Sequence, residues 1–246
     1  MIRKLSTLFL VLLLVGGAVY AWIAEQPVHR TPAADWQQTI TSPDFSAETF
    51  MVPVDGAEIE AMILSPNGHP DPVAAVIFAG GSGDGLFQDY APGFLKTYLQ
   101  DVFLPRGIAV VYMNKRGMGA STGNWMNNTI EGRAADLRAV AEAVRARPEI
   151  DAARVGYAGH SQGGWVVVQA AADDPAAPFV LNFMGPLRST NAQFDFMWHG
   201  VYRCNGHEGA ALDRAFALKQ WITRIAMKVG RILPIGMLEF DAKYFN

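Results

Sequence analysis

The sequence predicts an α/β fold with a mostly parallel β-sheet flanked by helices. Short, continuous apolar runs alternate along the chain with segments long enough to form helices. A run that is apolar at every position suits a strand buried on both faces, and strands alternating with helices form right-handed βαβ units. Such runs lie at 73–78 and 108–112, and two further buried strands are predicted at 155–158 and 179–183.

Composition narrows the class of protein. The chain has 246 residues, of which half are hydrophobic, so it is long enough to bury a substantial core. Its formal net charge is −3 and only 17% of its residues are charged. Such a chain lacks the basic surface that neutralises phosphates, so we expect no nucleic-acid partner. The single cysteine, Cys204, has no metal-binding spacing around it, and we expect neither a disulfide nor a metal nor another cofactor.

Residues 1–24 have the composition of an export segment. Arg3 and Lys4 precede an uncharged, apolar run that continues to Ala24. This pattern is typical of a signal peptide, with small residues available for cleavage near position 21. The run is also about as long as the ~20 residues that cross a bilayer, so an uncleaved membrane anchor fits equally well. In both cases we expect the remainder in the cell envelope: periplasmic, extracellular or membrane-anchored through residues 1–24.

Residues 25–46 are interpreted as a linker, because prolines and polar residues there show no sustained period. The folded domain is expected over 47–246. It opens with two strand-like runs, 49–54 and 58–64, separated by the turn signal Asp55-Gly56. This arrangement predicts an antiparallel hairpin.

Helices are predicted between the later strands. Apolar residues recur near helical spacing in 129–146, and a second helix is predicted at 92–103. Beyond the last apolar run, 209–229 has nearly helical spacing as well. We interpret the surrounding segment, 187–236, as a helical cap.

The sharpest chemical signal is Gly159-His160-Ser161-Gln162-Gly163-Gly164, which follows one predicted strand and precedes an apolar helix. A G-x-S-x-G motif in this position forces the serine into a strained turn that presents its hydroxyl at the carboxyl edge of the sheet. The helix N-terminus and the Gln162 N–H favour negative charge there. Ser161 is therefore the predicted nucleophile, and Gln162 a predicted oxyanion donor.

A second oxyanion donor is expected from the glycine loop Ala79-Gly80-Gly81-Ser82-Gly83-Asp84-Gly85, which follows the strand at 73–78. Glycines allow backbone N–H groups to approach a substrate carbonyl closely. Gly81 is the preferred donor, and its neighbour Ser82 is the alternative. A phosphate cradle is disfavoured because no Lys-Ser or Lys-Thr pair follows.

The loop 114–123, Asn-Lys-Arg-Gly-Met-Gly-Ala-Ser-Thr-Gly, completes a recognisable pattern. Together with the elbow and the hairpin, it resembles the α/β-hydrolase superfamily, in particular esterase and serine-peptidase-like members. The resemblance covers about 50–186. It implies that Ser161 attacks an ester, thioester or amide carbonyl, that Gly81 and Gln162 form the oxyanion hole, and that Arg116 ties its loop to neighbouring segments.

The sequence departs from this superfamily in three places. Ala79-Gly80 stands where a His-Gly pair is common, and Asn114 stands where Asp is common. The superfamily also orders its triad as Ser, then acid, then His, each after a later strand. Residues 239–244 resemble the segment that leads into the acid-bearing strand, and the sequence ends at Asn246. The triad acid and histidine are therefore unassigned, and we expect a sheet without its C-terminal strands.

The other acids and histidines of the sequence are weaker candidates for the triad. Asp195, followed by His199 or His207, has the required order but lies before or within the predicted cap, where surface or packing roles are expected. His160 is expected to pack away from the Ser161 hydroxyl. His29 lies in the linker and His69 in a turn, so neither is a candidate.

Two functional hypotheses follow. The first is a serine hydrolase that cleaves a small ester, thioester or peptide substrate through an acyl-enzyme on Ser161. The second is a truncated, non-catalytic protein of the same fold that lacks the triad acid and histidine and at most binds a ligand or partner. Loss of a triad member lowers the rate by about four orders of magnitude, which is the basis of the second hypothesis.

Overall fold

The structure is a computed structural model that describes residues 14–19, 22, 30–32 and 42–230. The chain divides into two compact units, one within 27–187 and the other within 1–26 and 188–246. Residues 14–19 are helical, and most of the predicted export segment lies outside the described residues. Among the residues described, no helix has both the length and the apolar character needed to cross a membrane.

The sheet of the larger unit confirms the predicted fold class. Its six strands are β1 Phe45–Val54, β2 Ala57–Pro66, β3 Val73–Ala79, β4 Ile108–Met113, β5 Ile150–His160 and β6 Val180–Phe183. They lie in the order β1-β2-β4-β3-β5-β6. β1 and β2 pair antiparallel, as do β2 and β4, whereas the pairs β4–β3, β3–β5 and β5–β6 are parallel.

The first two strands form the predicted hairpin. Its turn is Asp55-Gly56, and Gly56 has the positive φ (67°) that favours glycine. Strands β3, β4 and β5 form where buried strands were predicted. The strand predicted at 179–183 also forms, but as β6 it lies at the edge of the sheet and is only partly buried.

Over 42–230, the long described range, six α-helices accompany the strands. They are α1 Phe87–Tyr90, α2 Asp101–Phe103, α3 Ile130–Arg145, α4 Gln162–Ala172, α5 Thr190–Cys204 and α6 Gly209–Gly230. α3 begins as predicted, because the Thr129 hydroxyl accepts a hydrogen bond from the Gly132 N–H at 3.1 Å. A short 3₁₀ turn at Trp125–Asn127 precedes it.

The segment predicted as a helix at 92–103 is helical, but it is not one regular α-helix. α1 and α2 are joined by a π-helical segment, Ala91–Gln100, in which Gly93 leaves helical geometry (φ −115°, ψ −105°). A 3₁₀ turn, Leu104–Arg106, completes the connection to β4. Glycine permits this break because it has no side chain to restrict the backbone.

The core has a cluster on each face of the sheet. α3 and α4 cover one face, where Leu137, Val140 and Val167 pack on strand residues such as Ile77. The connection between β3 and β4 covers the other face, where Leu95 and Leu99 pack with strand residues of opposite parity. The alternation along β3, with Ile77 in one cluster and Val76 and Phe78 in the other, shows a strand buried on both faces.

The predicted linker includes residues that bond to the sheet unit. The Arg30 N–H donates to the Gly117 carbonyl (3.4 Å), and the Gly119 N–H donates to the Arg30 carbonyl (2.8 Å). The Arg30 guanidinium also lies 2.8 Å from the Asp89 carboxylate. β1 begins at Phe45, two residues before the predicted domain start. Where they are described, these residues are thus part of the folded unit.

The second unit contains α5 and α6, and α6 confirms the helix predicted at 209–229. Asp195 forms an ion pair with Lys219, and the His199 ring meets the Phe216 ring edge to face at 5.7 Å. Cys204 is exposed and free. Residues 231–236 of the predicted cap, and the segment 239–244, lie outside the described residues.

Candidate active site

Ser161 lies between β5 and α4 with an unusual backbone conformation, φ 55° and ψ −122°. Within the described part of the chain, only Met184 shares a positive φ among residues other than glycine. The Ser161 N–H donates to the Phe183 carbonyl at 3.2 Å, and its own carbonyl accepts from the Gly164 N–H at 2.9 Å. These bonds hold the strained turn, which a residue other than glycine adopts only when its surroundings enforce it.

Two glycines around Ser161 are required by close packing. A methyl group at Gly159 would lie 2.2 Å from the Gly163 carbonyl oxygen, and one at Gly163 would lie 2.1 Å from the Ala79 carbonyl oxygen. Both distances are far below van der Waals contact with backbone atoms that have no room to move. The motif therefore brings the start of α4 directly against the end of β3.

The glycine loop after β3 comes next to the nucleophile. A methyl group at Gly81 would lie 3.3 Å from the Ser161 Cβ and 3.6 Å from His160 Nδ1. Gln162 is the first residue of α4, whose amino end carries partial positive charge. The structure thus brings together the three predicted site residues, Ser161, Gly81 and Gln162.

Arg133 is a residue of this region that the sequence analysis missed. Its guanidinium donates from Nη1 to the Gln162 side-chain oxygen (2.6 Å) and from Nη2 to the Gly80 carbonyl (2.8 Å). It is only 8% exposed. One signal was available: Arg133 lies four residues before Leu137, on the stripe of α3 that packs into the core.

Two further cations bind carbonyls of the glycine loop. The Lys115 Nζ donates to the Gly83 carbonyl, and the Arg30 Nη1 donates to the Asp84 carbonyl at 3.0 Å. Burial lowers the pKa of Lys115 to about 7, with Arg133 lowering it further and Asp84 opposing the shift. Three backbone carbonyls of the glycine loop, those of Gly80, Gly83 and Asp84, therefore each accept a hydrogen bond from a cationic side chain.

Arg116 has the role that the resemblance implied. Its Nε lies 3.2 and 3.1 Å from the two oxygens of Asp136, and its Nη2 lies 2.8 Å from Asp136 Oδ1. Its Nη1 donates to the Asp55 carbonyl at 3.2 Å. These hydrogen bonds raise the pKa of Arg116. The arginine therefore ties its loop to α3 and to the hairpin turn.

Histidines and acids elsewhere have other surroundings. The His160 ring packs on Phe94 at 4.8 Å, in agreement with the packing role expected for it. Asp195 and His199 have their ion-pair and ring partners in the second unit, and the His207 ring contacts Tyr202 at 6.0 Å. Over the residues that the structure describes, no imidazole or carboxylate is hydrogen-bonded to the Ser161 hydroxyl. His29 lies outside that range.

A cavity of about 730 Å³ lies at the opposite edge of the sheet. Its lining includes Phe45 at the start of β1, Pro66 at the end of β2, and Leu104 just before β4. Ser161, in contrast, follows the carboxyl end of β5. His69 also lines this cavity and packs against Gly107, so its position agrees with its exclusion as a catalytic candidate.

Among the described residues, no group of three or more His, Cys, Asp or Glu side chains is arranged to hold a metal ion. The polar groups described next to Ser161 are the backbone of Gly81 and Gln162, the His160 ring beside Gly81, and the Arg133 guanidinium bonded to Gly80 and Gln162. Such an arrangement can orient a carbonyl substrate and stabilise negative charge on its oxygen.

Comparison with known proteins places these features in context. A sequence model of the X-Pro dipeptidyl-peptidase (S15) family matches residues 55–220, more than half of the chain. A comparison with curated protein sequences gives no match.

Similar solved structures share the fold. A hypothetical protein from Pseudomonas aeruginosa is 16% identical, with a TM-score of 0.52 over 70% of this chain and 57% of its own. A Pyrococcus furiosus esterase is 14% identical, with a TM-score of 0.53 over 70% of this chain and 59% of its own. The chain thus spans less than two thirds of either protein, and at this identity the likeness concerns the fold alone.

Proposed function

Since the chain belongs to the X-Pro dipeptidyl-peptidase (S15) family, within the α/β-hydrolase superfamily, we propose that it is a serine hydrolase acting through an acyl-enzyme on Ser161. Its substrate is a small ester, thioester or peptide. The observation that carries the proposal is the strained backbone of Ser161, at φ 55° and ψ −122° between a buried strand and a helix. Strain of this kind concentrates at functional sites, and a purely structural turn would use glycine without it.

The proposed chemistry begins when the Ser161 Oγ attacks the substrate carbonyl carbon. The carbonyl π electrons move to oxygen, and the N–H groups of Gly81 and Gln162 stabilise the oxyanion. The serine proton passes to a general base. The oxyanion then re-forms the carbonyl, the bond to the leaving group breaks, and that group takes the proton, which leaves the acyl group on Ser161. Water attacks the acyl-enzyme in the same way and releases the acid together with the free Ser161 hydroxyl. The residues that act as base and acid remain unassigned.

Labelling by a fluorophosphonate probe tests the nucleophile. We expect the probe to modify the full chain, the Ser161→Ala variant to stay unlabelled, and peptide mapping to place the label on Ser161. A wild-type protein that is folded and unlabelled would contradict the proposal. It would favour the second hypothesis, a non-catalytic protein of this fold.

The oxyanion assignment has its own matched pair of variants. Gly81→Ala introduces a methyl group 3.3 Å from the Ser161 Cβ, whereas a methyl group at Gly80 has no neighbour within 4 Å. We expect Gly81→Ala to slow labelling by about 10²-fold or more, the loss typical of a disturbed oxyanion donor, and Gly80→Ala to leave it unchanged. Equal rates for the two variants would mean that the loop accommodates the methyl group and that close packing of Gly81 on Ser161 does not set the geometry of the oxyanion hole.

Substrate class is tested by comparing leaving groups. The family description suggests peptides with proline at the second position, and the Pyrococcus furiosus esterase suggests esters. We propose assays with a p-nitrophenyl ester, a thioester and an X-Pro p-nitroanilide on the same preparation. A burst of p-nitrophenol equal to the enzyme concentration would indicate an acyl-enzyme. The ratios of kcat/KM then identify the preferred bond.

We also propose that the protein works in the cell envelope, because Arg3 and Lys4 precede an apolar run of export character. Fractionation of cells that express the full chain tests this proposal. Recovery in the soluble cytoplasmic fraction, with an intact N-terminus, would contradict it.

A further inference from the structure

We propose that Arg133 is a positioning residue that couples the two donors of the oxyanion hole. The inference rests on the proposed function, because it concerns the orientation of the Gly81 and Gln162 N–H groups. It adds a charged residue to a site that the sequence motifs describe only by its glycines and serine.

One of the two hydrogen bonds of the Arg133 guanidinium fixes the orientation of a peptide plane. The Gly80 carbonyl and the Gly81 N–H belong to one peptide unit and point in opposite directions, because the unit is planar and trans. The Arg133 Nη2 holds the carbonyl oxygen at 2.8 Å. Rotation of this peptide would break the hydrogen bond, so Arg133 fixes the direction of the Gly81 N–H.

The second hydrogen bond of the guanidinium goes to the residue that supplies the other oxyanion donor. The Arg133 Nη1 lies 2.6 Å from the side-chain oxygen of Gln162, the residue whose backbone N–H is the second proposed donor. A guanidinium is planar, and its N–H groups form a rigid fork. One side chain from α3 therefore links the glycine loop after β3 to the first residue of α4.

Among the described residues, no carboxylate is hydrogen-bonded to the Arg133 guanidinium. The nearest acid on its own helix, Asp136, accepts hydrogen bonds from Arg116 and from the Asn128 amide (2.6 Å). Burial lowers the pKa of Arg133 to about 10, and Asp136 opposes this shift. At neutral pH the guanidinium is charged and buried, and its hydrogen-bond acceptors within the described part of the chain are both neutral oxygens.

Arg145, on the same helix, shows the contrasting case. It is also largely buried, but its Nη2 lies 2.8 Å from the Asp174 carboxylate. A buried cation without a carboxylate is unfavourable in the resting protein. The same cation is favourable when negative charge develops nearby in a site of low dielectric constant. The position of Arg133 behind Gly80 and Gln162 therefore suits stabilisation of the oxyanion.

Three variants of the full chain test the inference: Arg133→Met, Arg133→Lys and the control Arg145→Met. The measurements are the rate constant of fluorophosphonate labelling, kcat and KM for the preferred substrate, and the Tm of each protein. We expect Arg133→Met to lower the labelling rate constant and kcat about 10²-fold with little change in KM, as for other losses of precise positioning. Arg133→Lys keeps the charge but cannot form both hydrogen bonds in the same geometry. Its labelling rate constant and kcat should lie between those of the wild type and Arg133→Met. Arg145→Met should lower the Tm and leave the labelling rate unchanged.

The possible results separate the two proposals. A wild-type protein that resists labelling overturns the function and this inference together. A labelled wild type with a folded Arg133→Met variant of equal rate overturns the inference alone. If Arg133→Met does not fold, Arg133→Lys decides, and a wild-type kcat in that variant overturns the inference. A rise in KM without a fall in kcat also overturns it, because this result would indicate a substrate contact.

Discussion

The side-chain amide of Asn114 donates a hydrogen bond to the buried carboxylate of Glu60 across 2.6 Å. The same amide nitrogen lies 3.0 Å from the Gln88 side-chain oxygen, and the Asn114 oxygen accepts from the Phe87 N–H at 3.0 Å. Asp is common at this position in the superfamily that the sequence resembles. In this protein Glu60 already supplies a buried carboxylate, and the uncharged amide of Asn114 donates a hydrogen bond to it.

We therefore expect Asn114→Asp to destabilise the protein by about 3 kcal/mol at neutral pH, because it places two carboxylates together in the interior. Two like charges in contact favour uptake of a proton by the folded variant, so the loss is larger at pH 8 and is relieved as pH falls. Urea unfolding at pH 5 and pH 8 measures this difference. Asn114→Ala removes the hydrogen bonds without adding charge, and its loss should not depend on pH in this way. A pH-independent loss for Asn114→Asp would contradict the explanation.

The strained backbone of Ser161 predicts an unusual order of stability. Ser161→Ala and Ser161→Gly both remove the hydroxyl, but only glycine adopts φ 55° and ψ −122° without strain. Relief of strain of about 1–3 kcal/mol exceeds the extra entropy that glycine loses on folding, about 0.5–1 kcal/mol. Ser161→Gly should therefore be about 1 kcal/mol more stable than Ser161→Ala. Chemical denaturation of both variants measures the difference, and the reverse order would show that the turn is not strained.

The packing around Gly163 and Gly80 predicts very different losses of stability when each glycine is replaced by alanine. A methyl group at Gly163 would lie 2.1 Å from the Ala79 carbonyl oxygen, whereas one at Gly80 has no neighbour within 4 Å. We expect Gly163→Ala to destabilise the protein by about 3 kcal/mol or more, and Gly80→Ala by no more than about 0.5 kcal/mol. Thermal unfolding of the two variants in parallel tests this expectation. Similar Tm values would mean that α4 shifts freely away from β3.

Lys115 predicts a stability that rises with pH. Burial lowers its pKa to about 7 in the folded protein, with Arg133 acting in the same direction, whereas an unfolded lysine has a pKa near ~10.4. Between these values the unfolded chain binds more protons, so this group increases stability as pH rises, by at most about 1.4 kcal/mol per pH unit. Below pH 7 both states are protonated and the contribution is constant.

Replacement by methionine should remove this rise. The stability of Lys115→Met relative to the wild type should be highest at pH 7 and below, and should decline towards pH 10. Urea unfolding at pH 6, 8 and 9.5 provides the comparison. Lys96→Met, at an exposed lysine, serves as the control. If both variants show the same pH slope, Lys115 does not titrate differently in the folded protein.

Prediction from the sequence succeeded where a local residue pattern is compatible with only one structure. The runs at 73–78 and 108–112 are apolar at every position, and they form strands covered on both faces. The elbow at Gly159–Gly163 was readable because a strand-to-helix turn of this length requires glycines at fixed spacing. Both depend on short stretches of neighbouring residues, which a sequence displays directly.

Contacts between residues that are far apart in the sequence could not be predicted in this way. The hydrogen bonds of Arg133 connect it with Gly80, 53 residues earlier, and with Gln162, 29 residues later. Their formation depends on how α3 lies on the sheet. The break at Gly93 was missed for a different reason: a lone glycine lowers helix stability by only about 1 kcal/mol, and its surroundings decide whether the helix continues.

The contact between Gly163 and the Ala79 carbonyl has a dynamic consequence. Because the elbow and the glycine loop meet backbone to backbone, neither segment can shift without displacing the other. The dipoles that surround the Ser161 hydroxyl are therefore already oriented before a substrate arrives. Charge transfer to a bound carbonyl would then require little reorganisation energy, and the barrier would depend on the chemistry more than on loop motion.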